Sequence, residues 1–450
     1  CAPGEANIWY FGDHAGLDFS TEPPTVLTDG QTMNNLGSAV MCDAKGNLLF
    51  YSDGKTVYNR FHEPTPNGDT LSPVLEQTDY NAIIVPHPGE SGLYYLFVGR
   101  DNGQVWYSLI DMKLDGGRGD VVAGIKSIPL TLYNFQRSFS AVRSCAFDSY
   151  WFVMRTVNEY VAYRIDEDGL DLAPVVSPAE QITISPGQMK CSPDGKKLAA
   201  SVFRSVGRVV ELCDFDDASG TVSAIKTLSL SFIPFGIEFS PNSRYLYVSS
   251  LEKIIQLDIT TGDLSQILTS LKVVDDDDGL PNYYYAGLQL APNGKIYVAK
   301  GADIGIPPSS DLHVIHQPNF PVPACQFQKD GLMLAGTTGT RLVNVVQSIF
   351  AKPTVAIHPT APDTICILDS LYTYAIEKSG CFQTDSIKWK MEGLSGTLND
   401  DHAYAWITFN APSEGQLIVT NYTECGIVSD TLHIVVVEPF DKILDLGPDQ

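Results

Sequence analysis

The chain has 450 residues, 44% of them hydrophobic, and 29 Lys+Arg stand against 53 Asp+Glu for a net charge of −24. That length exceeds one ordinary core and that apolar content excludes a disordered chain, so two folded domains are expected. The acidity, with no Lys/Arg cluster to neutralise successive phosphates, excludes nucleic acid and anionic membrane surfaces as partners.

With 37 Gly and 28 Pro beside 21 Tyr and 20 Phe, the composition favours short strands joined by turns, hence an all-β chain. The apolar runs are strand length, well below the ~20 residues of a spanning helix. At the start, Cys1-Ala-Pro-Gly4 fits the residue that lipoprotein signal cleavage leaves, with the thiol and amine carrying lipid; the alternative is a boundary that falls at Cys by chance. Residues 1–5 are therefore expected to be a tether.

From residue 6 to 350 the dominant feature is an internal repeat. Gly187-Gln-Met-Lys-Cys-Ser-Pro-Asp-Gly195 recurs as Gly236-Ile-Glu-Phe-Ser-Pro-Asn-Ser243 and as Gly287-Leu-Gln-Leu-Ala-Pro-Asn-Gly294, each followed by an apolar run. Looser copies occupy residues 38–51, 82–98 and 141–154. Apolar strand, Pro/Asn/Asp/Gly turn, apolar strand is a hairpin signal. A second hairpin follows each, marked by an aspartate leaving a strand: Asp111, Asp166, Asp214 and Asp258. Two hairpins per unit make a four-stranded propeller blade. Six such units run from Ser38 to about Gln328, and residues 7–11 with 342–347 are expected to close a seventh blade from both chain ends.

Aligned on their turns, Cys42, Cys145 and Cys191 occupy places held by Val85, Phe239 and Leu290 in sister repeats, which are core positions. Cys213 and Cys325 have no such alignment and stay open. The run Asp275, Asp276, Asp277 and Asp278 is a concentrated acidic feature: it is either a solvated inter-blade loop or a site for structural Ca²⁺, whose oxygen chemistry such carboxylates suit. The tyrosines at 283–285 are read as core and rim packing or as a sugar-stacking platform. His313 and His316 fall on opposite faces of a predicted strand and do not share a metal. Neither a nucleophile elbow nor a phosphate loop occurs, and no catalytic residue is assigned.

Residues 351–362 read as a Pro-rich linker. Strands over 370–376, 386–391, 403–409, 416–422 and 430–437 then predict a small β-sandwich spanning 363–438, with Trp389 in its core. Its three cysteines allow one bridge, Cys381–Cys425 or Cys366–Cys425, which would imply an oxidising compartment. Asn421-Tyr-Thr423 is a nominal glycan acceptor. Residues 439–450 look like a linker to a further module.

The segments Asn7-Ile-Trp-Tyr-Phe-Gly-Asp-His-Ala-Gly16, Leu48-Leu-Phe-Tyr-Ser-Asp-Gly54 and Tyr284-Tyr-Ala-Gly-Leu-Gln-Leu-Ala-Pro-Asn-Gly294, with residues 341–350, resemble the N-terminal propeller of large surface proteins of Bacteroidota. Those proteins carry Ig-like or PKD-like modules after the propeller and usually end in a gliding-motility-associated sorting domain read by the type IX secretion system. The resemblance implies a seven-bladed β-propeller followed by an Ig-like or PKD-like β-sandwich. It also implies a location at the cell surface, on the outer-membrane exterior or secreted. The implied role is adhesion, gliding or association with secretion components, and the partners are other outer-membrane or surface proteins, with a glycan as a further candidate. The rival expectation is a propeller hydrolase or lyase acting on polysaccharide, which would need paired acids in the central channel.

Overall fold

The computed structural model describes residues 4–34, 37–71, 80–100, 103–130, 135–144, 148–183, 187–204, 207–276, 282–303, 305–351, 353–359, 364–366, 371–379, 384–423 and 426–438. The chain divides into two compact units, with residues 2–351 in one and 352–450 in the other.

The first unit contains seven antiparallel sheets. Blade 1 holds the strands Ile8–Asp13, Ala15–Asp18, Thr25–Leu27 and Met33–Asn34, and blade 2 holds Ala39–Cys42, Leu48–Ser52 and Val57–Asn59. Blades 3 to 7 begin with Tyr80–Pro86, Phe135–Ser144, Met189–Cys191, Ile237–Phe239 and Tyr283–Leu290. They end with Ile128–Pro129, Val175–Pro178, Thr221–Ser229, Lys272–Asp276 and Phe327–Met333. Each blade is nearly apolar on both faces, and the apolar clusters run from blade to blade. That is why the strands read as continuous hydrophobic runs rather than as an alternation.

The repeat signatures have local causes. Gly195 and Gly294 adopt φ of 74° and 76° in the first hairpin turn, a conformation glycine takes without penalty, and Ser243 at the same place is held at φ 57°. The glycine that opens each motif serves close approach: a Cβ on Gly236 would lie 2.4 Å from the carbonyl oxygen of Ala286 in the next blade. The aspartates of the second hairpin cap their own turns. Asp111, Asp166 and Asp258 accept the backbone N–H two residues on at 2.8, 3.1 and 3.1 Å. In blade 5 the capping residue is Asp216, while Asp214 pairs with Lys197 at 2.5 Å.

Closure of the ring differs from expectation. Blade 1 is built from the N-terminal strands and receives only a bridge from Thr337 to Asp13. Side chains join it to blade 7: Trp9 and Phe19 both pack edge-on to Tyr297 (centroids 5.9 and 5.6 Å), and Glu22 takes Lys295 and Asn293. Residues 342–347 form no strand; a single parallel bridge joins Val343 to Ser38, and a 3-10 turn follows at Gln347–Phe350. Gly4 and Glu5, expected in a free tether, lie in a 3-10 turn whose Gly4 is buried, with Asn7 N–H bonding the Gly4 carbonyl at 3.0 Å. Asp263 caps the one α-helix among the described residues, Leu264–Thr269, by accepting the Gln266 N–H.

The second unit is a β-sandwich. One sheet orders Thr354–Pro359, Tyr372–Ser379, Tyr404–Phe409 and Gly396–Asp400; the other orders Thr364–Cys366, Gly426–Val437, Ser413–Thr423 and Thr384–Glu392. Val355, Tyr374, Trp389, Ile407, Val419 and Ile434 from the two sheets share one core. The stretch read as a linker thus contributes an edge strand: Val355 and Ile357 point inward at period 2 between flanking prolines.

Candidate functional site: the ring axis

Inner strands of a propeller converge on a central channel, the concave place where a small ligand would sit. Here residues 336–350 occupy it. Asp13 and Thr337 exchange both backbone hydrogen bonds at 3.0 and 2.9 Å, anchoring the segment to blade 1. Thr338 Oγ1 donates to the Lys300 carbonyl (3.0 Å) and Thr340 O accepts from Gly287 N–H (2.8 Å), both in blade 7. Arg341 Nη2 donates to Gly187 O at 2.6 Å, at the head of blade 5. Asn344 N–H reaches Ser38 O (2.8 Å) ahead of blade 2, and Ser348 Oγ accepts Arg143 N–H (2.8 Å) in blade 4. Gln347 Nε2 donates to both oxygens of Glu238 in blade 6, at 3.0 and 2.9 Å. Val345, Val346 and Ile349 line one depression with Ile84 and Pro86 of blade 3. A single segment reaches all seven blades only by running along the axis.

The axis has an apolar and a polar side. On the polar side stand Lys190, Glu238 and Gln289, the residues just before the core positions Cys191, Phe239 and Leu290 in the three tight repeats. Lys190 Nζ lies 3.5 Å from Glu238 Oε2 and also donates to Gln289 Oε1. Glu238 further accepts the Phe239 and Leu290 N–H groups, each at 2.9 Å. Burial pushes the Glu238 carboxyl up and the Lys190 ammonium down, each against the pull of its partner. Glu238 is wholly buried and engaged by four donor groups, so its oxygens are committed within the fold. The sequence carried the signal: a charged or amide residue at one repeat position inside an otherwise apolar strand.

A second buried network joins blades 4 and 5. Glu211 accepts Arg155 Nε at 2.9 Å and Nη2 at 3.0 Å, Arg204 Nη2 at 2.6 Å and the Tyr160 hydroxyl at 2.5 Å. Burial alone would raise the Glu211 carboxyl, but the two guanidiniums and the phenol outweigh it and hold the carboxyl below its usual range. These groups are spent on one another, which makes the network a pin between blades.

The acidic run is divided. Asp275 and Asp276 end the outer strand of blade 6. Asp275 binds the Tyr285 hydroxyl and Lys329 Nζ (2.9 Å), Asp276 faces Lys253 at 3.7 Å, and Asp277 and Asp278 lie outside the described residues. Among the described residues no three His, Cys, Asp or Glu side chains gather into a metal site. Tyr285 is buried, Tyr283 lies against Lys300 and Tyr284 packs over Gly301, so the tyrosine run makes packing contacts. His313 is buried and accepts Asp330 N–H through Nδ1, while His316 sits past the strand end and bonds Gln328. Asn421 and Thr423 of the nominal glycan acceptor are both buried.

Cys42, Cys191, Cys213 and Cys325 are free and buried, and burial pushes the first three thiols up to about 12. Native protein exposed to iodoacetamide at pH 8 is therefore expected to leave all four unmodified, and denatured protein to modify them, as read by peptide mass. In blade 4 the hairpin register puts Arg143, opposite Tyr150, where blade 5 has Cys191 opposite Leu198. Cys1, Cys145, Cys381 and Cys425 lie outside the described residues; Cys366 ends a strand parallel to Gly426–Val437.

No family model and no curated protein matches this chain. Among solved structures it is similar to a gluconolactonase from Xanthomonas campestris at 13% identity and TM-score 0.33, covering 59% of this chain and 82% of that one. It is also similar to a protein of unknown function from Bacteroides caccae (11%, TM-score 0.35, 68% and 97%). A third is the calcium-binding protein regucalcin from Agrobacterium tumefaciens (12%, TM-score 0.33, 55% and 70%).

Proposed function

We propose that this chain is a non-catalytic binding and scaffold module of the surface of a Gram-negative bacterium. In this reading it is a type IX secretion substrate or surface component, acting in adhesion, gliding motility or association with the outer-membrane secretion machinery. The observation that carries the reading is the occupied axis: the place where a propeller would gather acids around a substrate is filled by its own residues 336–350. The buried carboxylates Glu238 and Glu211 are both committed to internal cations. What remains for recognition is the rim, the loops and the sandwich, which acts as an Ig-like or PKD-like spacer.

The test is cross-linking in intact cells followed by purification of the native protein. Outer-membrane or surface proteins recovered in fixed ratio are expected. Recovery of the protein alone, together with new reducing ends or unsaturated sugars when it is incubated with polysaccharide, would favour the hydrolase or lyase instead.

A further inference from the structure

Between blades 3, 4 and 5 and the axial segment lies a cavity separate from the apolar depression, lined by Asn81, Gln188, Lys190, Arg341 and Asn344 with apolar side chains around them. All five polar residues are at least nine-tenths buried. Gln188 holds the repeat position of Ile237 and Leu288 in blades 6 and 7, and its Oε1 accepts the backbone N–H of those two residues at 3.2 and 2.9 Å. That fixes the amide, so Nε2 is left as a donor. Among the described residues Nε2 has no partner, and the side-chain amides of Asn81 and Asn344 have none either. Buried polar groups are nearly always paired, and where the protein supplies no partner an ion or an ordered water does.

The lining selects the ligand. Three amides can each present N–H groups and two cations stand with them, whereas no carboxylate lines the cavity among the described residues. A metal ion would meet charge of its own sign. Burial above all, and the charge of Arg341 in addition, push the Lys190 ammonium down against the pull of Glu238, so the two cations feel each other. Water would satisfy the amides but return nothing to the cations. The cavity, about 10 Å³, seats a single water-sized body and is too small for a phosphate or a sugar.

We propose that this cavity binds one monovalent anion of chloride size, held by the amide N–H groups of Asn81, Gln188 and Asn344 beside Lys190 and Arg341. The ion ties blades 3 and 5 to the axial segment, and the site stands whether or not the surface role does. A chain of net charge −24 has no general attraction for anions, so only a built site would hold one.

The experiment adds the full chain to chloride at constant ionic strength and follows the width of the chloride NMR line. Broadening that bromide reverses is expected. Asn81→Leu and Asn344→Leu should each weaken the affinity by about tenfold or more. Should these variants unfold, wild-type crystals soaked in bromide decide, with an anomalous peak expected within hydrogen-bond distance of all three amides. Absence of broadening, broadening unchanged in folded variants, or bromide found only elsewhere overturns the proposal and leaves water as the occupant.

Discussion

Replacing Glu211 by alanine is expected to destabilise the propeller by about 3–5 kcal/mol, the cost of stranding buried charge when one partner of a buried pair is removed. Arg155 is 0% exposed and Arg204 7%, and both lose the carboxylate that Tyr160 also depends on. The effect is read as a lower urea midpoint at unchanged slope. The pH dependence has a definite sign. Because the folded carboxyl titrates below its unfolded value of about 4.3, its contribution is fully present above that pH and disappears as pH falls through the folded value. The wild type should therefore lose stability more steeply than Glu211→Gln on the acid side, and the two should run parallel above about pH 6.

The axial segment gives the other large effect. Leu342, Val343, Val345, Val346 and Phe350 are each at most 6% exposed. At about 1.5–3 kcal/mol per buried side chain, their combined burial is comparable with the roughly 5–15 kcal/mol that holds a whole domain together. A chain ending at residue 334 is expected to lose cooperative unfolding and bind a hydrophobic dye, whereas one ending at 351 melts as a single transition. In the full chain, Val343→Asp should act in the same direction by placing a charge where Val343 is 1% exposed. Equal melting of the two shortened chains would mean that the ring closes without its axis.

Much of the fold was legible because turn chemistry is local. The Pro-Asp-Gly and Pro-Asn-Gly turns, the opening glycines and the capping aspartates announce blade after blade, and the period-2 pattern of Tyr404 to Phe409 announces the sandwich. What was not legible is non-local. Residues 342–347 read as a strand because a segment buried on every side has the same composition as a central strand. Only the contacts to seven blades distinguish the two. Likewise nothing near Arg155 reveals that its partner Glu211 lies in the next blade, and nothing in a Pro-flanked stretch such as Thr354–Pro359 reveals that it pairs with Tyr372–Ser379. At the axis the signal existed: Lys190, Glu238 and Gln289 at one repeat position mark where an apolar ring turns polar.

The filled axis is the observation on which the proposed binding role rests, and native-state hydrogen exchange reads it directly. The amides of Gly287, Asn344 and Arg143 donate to or from the axial segment, through Thr340 O, Ser38 O and Ser348 Oγ. They should be protected to the level of the blade cores, exchanging only by global opening. Exchange of these three amides at the rate of exposed loops, with the blade strands still protected, would mean that residues 336–350 leave the channel open.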